Sequence, residues 1–181
     1  MILPFSTQLN GKPTYFPEKI IAGLNNYSLI DAETAHKLML DCILKKSGIS
    51  YPINFNRVLT HTPKKHTIRT DKNNRWRADM PIHFYINNRQ PDMFQFAPVV
   101  RCASVQDIQI NWFSDIRSTD PSKISPLRFN YVDVIVDGKL KNIAQVKILS
   151  LNDGFETIED FFAYFNTDFT GKIIHWTDLK Y

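Results

Sequence analysis

Lys64, Lys65, Arg69 and Arg75 fall within the fourteen positions from Pro63 to Trp76, together with His66, Thr67 and the Trp76 indole, ahead of an apolar run from Ile82 to Ile86. Permanent cations match phosphate oxygens, an aromatic face accepts a stacked base, and a hydroxyl can donate, accept or attack. The set suits a ligand that carries both a phosphate and a base. If residues 66–69 are extended, side chains alternate between faces, so Thr67 and Arg69 share a polar face while Ile68 points to a core. Lys64 has the opposite parity from Thr67, but it follows Pro63 into a turn from which its long stem can curl back over the polar face. The plainer alternative is a solvated basic turn, a common surface feature.

Charge along the chain supports a positive first half. Residues 1–90 carry 13 basic and 6 acidic side chains, whereas 91–181 carry 9 and 12; within 57–77 there are 7 basic residues against the single acid Asp71. Such a patch can steer a polyanion. It can equally be neutralised by the acidic second half folding against it.

Positioning these groups requires a scaffold, and 181 residues with 43% hydrophobic content allow one sizeable core. Thirteen Phe, seven Tyr and three Trp favour a sheet-rich interior. Ile2 to Ser6 reads as a short strand, and 17–23 as a helical turn or two ending at Gly23. Asp31 then caps a longer helix whose Ala35, Leu38, Met39, Cys42 and Ile43 recur at helical spacing before Lys45, Lys46 and Gly48. Residues 49–63 form a connecting segment. From Pro81 the pattern becomes strand-like over Ile82–Ile86, Phe94–Val100, Val105–Trp112, Tyr131–Val136 and Ile143–Leu149, with turns at Asn87-Asn88-Arg89 and a tight hairpin at Asp137-Gly138. Residues 114–126 read as a long surface loop. Thr157 caps a second helix with Ile158, Phe161, Phe162 and Phe165 as its apolar stripe, and Lys172–Trp176 is a closing strand. Curved strands of uneven length with helices at the ends predict an α+β fold: a small mixed, partly closed β-barrel with flanking helices.

Neither cysteine, Cys42 or Cys102, has metal-type or disulfide-framework spacing, and no His-Glu-x-x-His occurs. No metal and no cofactor is expected. No window reaches membrane-spanning length, and the start has no basic and apolar leader pattern, so no membrane partner and a reducing cytoplasm are expected.

The order Lys64-Lys65-His66-Thr67-Ile68-Arg69, then Arg75-Trp76, Ile82-His83-Phe84, Asn152-Asp153-Gly154-Phe155 at the head of a helix and a final strand resembles the ASCH domain family, whose members are similar to PUA-type RNA-binding barrels. The likeness covers 1–24 and 63–181 loosely and is best over 64–86 and 152–177. It implies one domain over 1–181 with 25–62 as a helical insertion, and a cleft between barrel and helix that takes RNA or a nucleotide. Some small members hydrolyse the amide of acetylated cytidine with a lysine, a threonine three positions later and a glutamate. That pattern carries onto Lys64 and Thr67, with Asp153 where the glutamate would stand and Ala78-Asp79 where relatives tend to have a glycine turn.

Three readings follow. A domain binding RNA or a modified nucleoside would line its cleft with Lys64, Lys65, His66, Thr67, Arg69, Arg75 and Trp76. An amidohydrolase would use Thr67 or a water as nucleophile, with Lys64 as base, its pKa lowered by Lys65, Arg69 and burial, and Asp153 to orient it. An interaction module would dock a protein through 25–62. Against these stand plainer roles: Thr67 as a strand hydroxyl, Arg69 in an ion pair, Asp153 as a helix N-cap and Trp76 packed to close the barrel. His66 and His175 are candidates for ligand contact.

Overall fold

The computed structural model describes residues 1–9, 11–45, 62–113 and 132–181. The α+β class is observed. One sheet is built on β5 (Pro81–Ile86), which pairs in parallel with β1 (Ile2–Pro4) and antiparallel with β6 (Phe94–Gln95) and β7 (Val100–Arg101). The other is five-stranded and antiparallel. It runs β10 (Lys139–Leu140), β9 (Val132–Val136), β8 (Ser104–Trp112), β11 (Phe169–His175), β4 (His66–Arg69), which leaves β4 at its edge. A small hairpin joins β2 (Gln8–Leu9) to β3 (Lys12–Pro13). No sheet among the described residues closes on itself.

Two apolar cores follow from the alternation of β11. Ile174 faces one core with Leu3, Phe84, Phe96, Trp76 and Trp176, covered by α1 (Phe16–Asn26) and α2 (Ala32–Lys45). Ile173 faces the other with Ile68, Ile108 and Val136, covered by α3 (Ile143–Asn152) and α4 (Ile158–Tyr164). From Ile173 to His175 both faces of this strand are therefore buried.

The local signals behind these elements are mostly visible. Asp31 accepts the Thr34 N–H at 2.6 Å and starts α2, whose Ala35, Met39 and Cys42 are core residues. Thr157 accepts the Asp160 N–H and starts α4, which buries Ile158, Phe161 and Phe162. Asp137 and Gly138 both take positive φ between β9 and β10, the geometry a two-residue hairpin requires. Asp79 stands at φ +67°, so an aspartate fills the left-handed position that a glycine turn would supply.

Four expectations are corrected. Ile143–Leu149 is helical: Asn142 and Gln145 form a reciprocal capping box, and the buried Val146, Leu149 and Ser150 recur at helical spacing. Phe94–Val100 is two short strands separated by irregular chain. α1 runs past Gly23 to Asn26, because that glycine serves packing instead of a stop: a Cβ there would lie 2.4 Å from the Lys64 carbonyl oxygen. Asp153 is the C-cap of α3, so Asn152-Asp153-Gly154-Phe155 ends one helix instead of heading the next. The loop expected over 114–126 and most of the 49–63 segment lie outside the described residues.

Candidate functional site

β4 presents its outer edge to the turn that ends α3. The Lys65 N–H donates to the Asn152 carbonyl at 2.8 Å, and the Lys64 N–H donates to the Lys19 carbonyl of α1 at 2.9 Å. Gly154, at φ +89°, lets this turn close down, since a Cβ would come within 3.1 Å of Lys64 Cδ. Two glycines from different elements thus clamp one lysine.

Lys64 is 1% exposed and Asp153 4%. Lys64 Nζ donates to Asp153 Oδ1 at 2.6 Å and to the Asp153 main-chain carbonyl, and lies 4.8 Å from the Phe16 ring centroid. Burial pulls the lysine down to about 8, helped by Arg69 and Lys19 and opposed by Asp153. Burial pushes the Asp153 carboxyl up, opposed by Lys64, Arg69 and the Ile68 N–H. Both groups are driven toward their neutral forms, so their protons come off as those of one coupled pair.

Above this pair a hollow of about 30 Å³ is lined by Lys64, Asp153, Thr67, Arg69, Phe16 and Tyr164. Its volume suits a single water or the tip of a ligand. Arg69 is half-buried; its Nη2 donates to the Pro4 carbonyl at 2.8 Å and its guanidinium carbon lies 5.2 Å from the Phe5 ring centroid. Its buried Nε has no hydrogen-bond partner. Two wider grooves share walls with the hollow. One, of about 640 Å³, shares Phe16, Phe155 and Tyr164 and adds Lys12, Lys19 and Glu156. The other, of about 470 Å³, shares Arg69 and Tyr164 and adds Thr70 and Thr167. Each is of the size that holds a small organic ligand.

Of the residues the sequence singles out, Lys64, Thr67, Arg69 and Asp153 come together; Lys65, His66, Arg75 and Trp76 do not line the hollow. Lys65 sends its ammonium to within 5.7 Å of the Tyr27 ring centroid. His66 has the opposite parity from Thr67 and is fully buried, with Nε2 2.7 Å from the Tyr181 hydroxyl. Its Nδ1 lies 3.6 Å from Asp153 Oδ1. Burial, reinforced by His175 and Lys64, holds His66 well below the ordinary imidazole value, so this contact is a neutral ring beside the Asp153 carboxyl group and not an ion pair. His175 is buried beside it, ring centroids 5.2 Å apart, also away from the hollow. Trp76 is 7% exposed in the α1 and α2 core, its N–H held by Asp71 Oδ2. Arg75 is exposed, 3.9 Å from Asp71 Oδ1.

Phe16, Lys19, Tyr164 and Tyr181 escaped the sequence reading. Lys19 had a visible signal: a lysine between Phe16 and Ile20 on the buried face of an amphipathic helix, where its Nζ donates to the Gly154 carbonyl at 2.8 Å. Tyr164 and Tyr181 had none, because nothing local in the chain marks them as neighbours of β4.

No family model, no curated protein and no solved structure matches the chain. The site therefore has to be read from its own groups. Among the described residues no cluster of three or more His, Cys, Asp or Glu could hold a metal ion, and no helix is long and apolar enough to cross a membrane.

Proposed function

We propose that the protein is an ASCH-like domain that binds RNA or a modified nucleoside, admitting one base-bearing unit to the cleft around Tyr164. The observation that carries the reading is the buried Lys64–Asp153 pair at the floor of a hollow that shares Thr67 and Arg69 with its walls and adjoins two ligand-sized grooves. Tyr164 and Phe16 offer faces or edges to a base, and the half-buried Arg69 guanidinium, which lines both the hollow and one groove, offers donors to a phosphate or sugar oxygen. The sheets and their covering helices are read as the partly closed barrel such a cleft needs. Cys42 and Cys102, both buried free thiols, suit a reducing cytoplasm.

The test is a titration with a short RNA and with N4-acetylcytidine across a range of salt. RNA affinity should fall as salt rises, and Arg69→Ala should weaken it about tenfold or more. Affinity that is indifferent to both salt and Arg69 removes the reading.

A second reading, amide hydrolysis, is favoured by the position of Lys64 near about 8, which leaves on the order of a tenth of it unprotonated at neutral pH. Neutral Lys64 would take the Thr67 proton as the hydroxyl oxygen bonds to the acyl carbon. The same proton would pass to the departing amine as the C–N bond breaks, and water would then release the acyl group from Thr67. Acetate release from N4-acetylcytidine that disappears in Thr67→Val supports this; turnover unchanged in both Thr67→Val and Lys64→Met excludes it.

A further inference from the structure

We propose that His66 and Tyr181 are positioning residues that hold Asp153 as a carboxylate against Lys64. This inference rests on the reading above only in taking the Lys64–Asp153 pair as the working centre. Asn152 Nδ2 can only donate, and it donates to the Tyr181 hydroxyl at 3.0 Å. The hydroxyl proton is then free to point to His66 Nε2, 2.7 Å away, and in the proposed tautomer that nitrogen accepts it. A neutral imidazole accepting at Nε2 carries its proton on Nδ1. That N–H, which has no hydrogen-bond partner, faces Asp153 Oδ1 at 3.6 Å, too far for a hydrogen bond but close enough to act as a dipole on the same oxygen that accepts from Lys64 Nζ.

A chain of oriented groups therefore runs from Asn152 through Tyr181 and His66 to Asp153 and Lys64. Among buried groups, a fixed N–H dipole beside a carboxylate favours its ionised form. Tyr181 is itself held: its N–H donates to Gln106 Oε1 at 2.9 Å, and Gln106 Nε2 donates to the Tyr181 carbonyl at 3.0 Å and to Asp137 Oδ2 at 2.8 Å. The charged and titratable groups around His66 are Asp153 from the end of α3, Lys64 and Lys65 just ahead of β4, His175 from β11 and Tyr181; Asp137 and Lys180 act on His175.

The experiment is nitrogen-15 NMR of the imidazoles in the full chain, with the Asp153 carboxyl titration followed by carbon-13 shift, in wild type, Tyr181→Phe, His66→Leu and His66→Asn. Wild-type His66 should be neutral with its proton on Nδ1. Tyr181→Phe should let the Nε2–H tautomer appear and move the Asp153 midpoint upward, and His66→Leu should move it further. In His66→Asn the amide nitrogen stands near the place of Nδ1 and should restore the wild-type midpoint, which a merely space-filling role would not do. A wild-type ring protonated on Nε2, readable even if a variant fails to fold, overturns the proposal, as does an Asp153 midpoint identical in wild type and His66→Leu. These readouts need no ligand. Failure of RNA or nucleoside to bind while the tautomer is as stated would count against the function alone.

Discussion

The two ends of the stretch from Pro63 to Trp76 have similar composition and opposite fates. At the first end, Lys64 is buried against Asp153 and shares a hollow with Thr67 and Arg69. At the second, Arg75 lies in solvent beside Asp71, which ties down the Trp76 N–H while the indole packs in the core. What separates them is what surrounds each end. The first end runs along a sheet edge that α1 and the α3 turn cover, leaving a recess; the second is a turn that closes on itself. Cation density by itself does not mark a site.

That contrast can be attacked by substitution. Lys64→Ala leaves a buried carboxylate without its partner and should cost about 3–5 kcal/mol in urea unfolding. Trp76→Ala should cost a similar amount by opening a cavity. The two differ in rescue: Lys64→Met with Asp153→Leu should restore most of the stability while abolishing ligand binding, whereas ligand binding by folded Trp76→Ala should persist. Loss of binding in a folded Trp76→Ala would erase the distinction between the ends.

The next effect is in alkali. Lys64 has a folded value of about 8, below that of an unfolded lysine, so the native state pays for its charge below pH 8 and is relieved as pH rises toward 10.5. Cys42, raised by burial to about 12, and Cys102, raised to about 11, act in the opposite sense. The stability of wild type relative to Lys64→Met should therefore climb from pH 8 to 10.5, by at most about 3 kcal/mol. A flat difference would mean that Lys64 is charged at little cost.

On the acid side, burial holds His66 well below 6.5 and His175 at about 4, so the unfolded chain gains protons that the native one refuses. Stability should fall between pH 6.5 and 4, by at most about 1.4 kcal/mol per pH unit for each ring, and Asp153, raised by burial, offsets part of this at the lower limit. His66→Asn should flatten the slope by about one proton in the linkage plot. The smallest effect belongs to the second end: Arg75→Ala should change stability by less than about 0.5 kcal/mol, because its guanidinium stands in solvent and comes no nearer than 3.9 Å to the buried Asp71 carboxylate.

Much of this architecture is legible in the chain where one residue's chemistry has a single local use. Asp31, Thr157 and Asp137-Gly138 are such cases, and the alternation that puts Thr67 and Arg69 together is another. Ile143–Asn152 misleads because apolar residues at 143, 146 and 148–149 fit either period, and only the Asn142–Gln145 cap decides for a helix. Gly23 misleads because a glycine is used alike for a stop and for close approach. His66 and Trp76 are misplaced because their partners, Tyr181 and Asp71 with the core, are set by tertiary closure, which spacing does not encode.

The amides of Lys64 and Lys65 are tied to the carbonyls of Lys19 and Asn152, so the chain entering β4 is stitched at consecutive residues to two helices that lie far from it in sequence. Neither tie can loosen without disturbing a core on one side of the sheet. Deuterium uptake at these two amides should consequently keep pace with complete unfolding. Uptake of that kind would mean that the charged floor of the recess forms together with the interior.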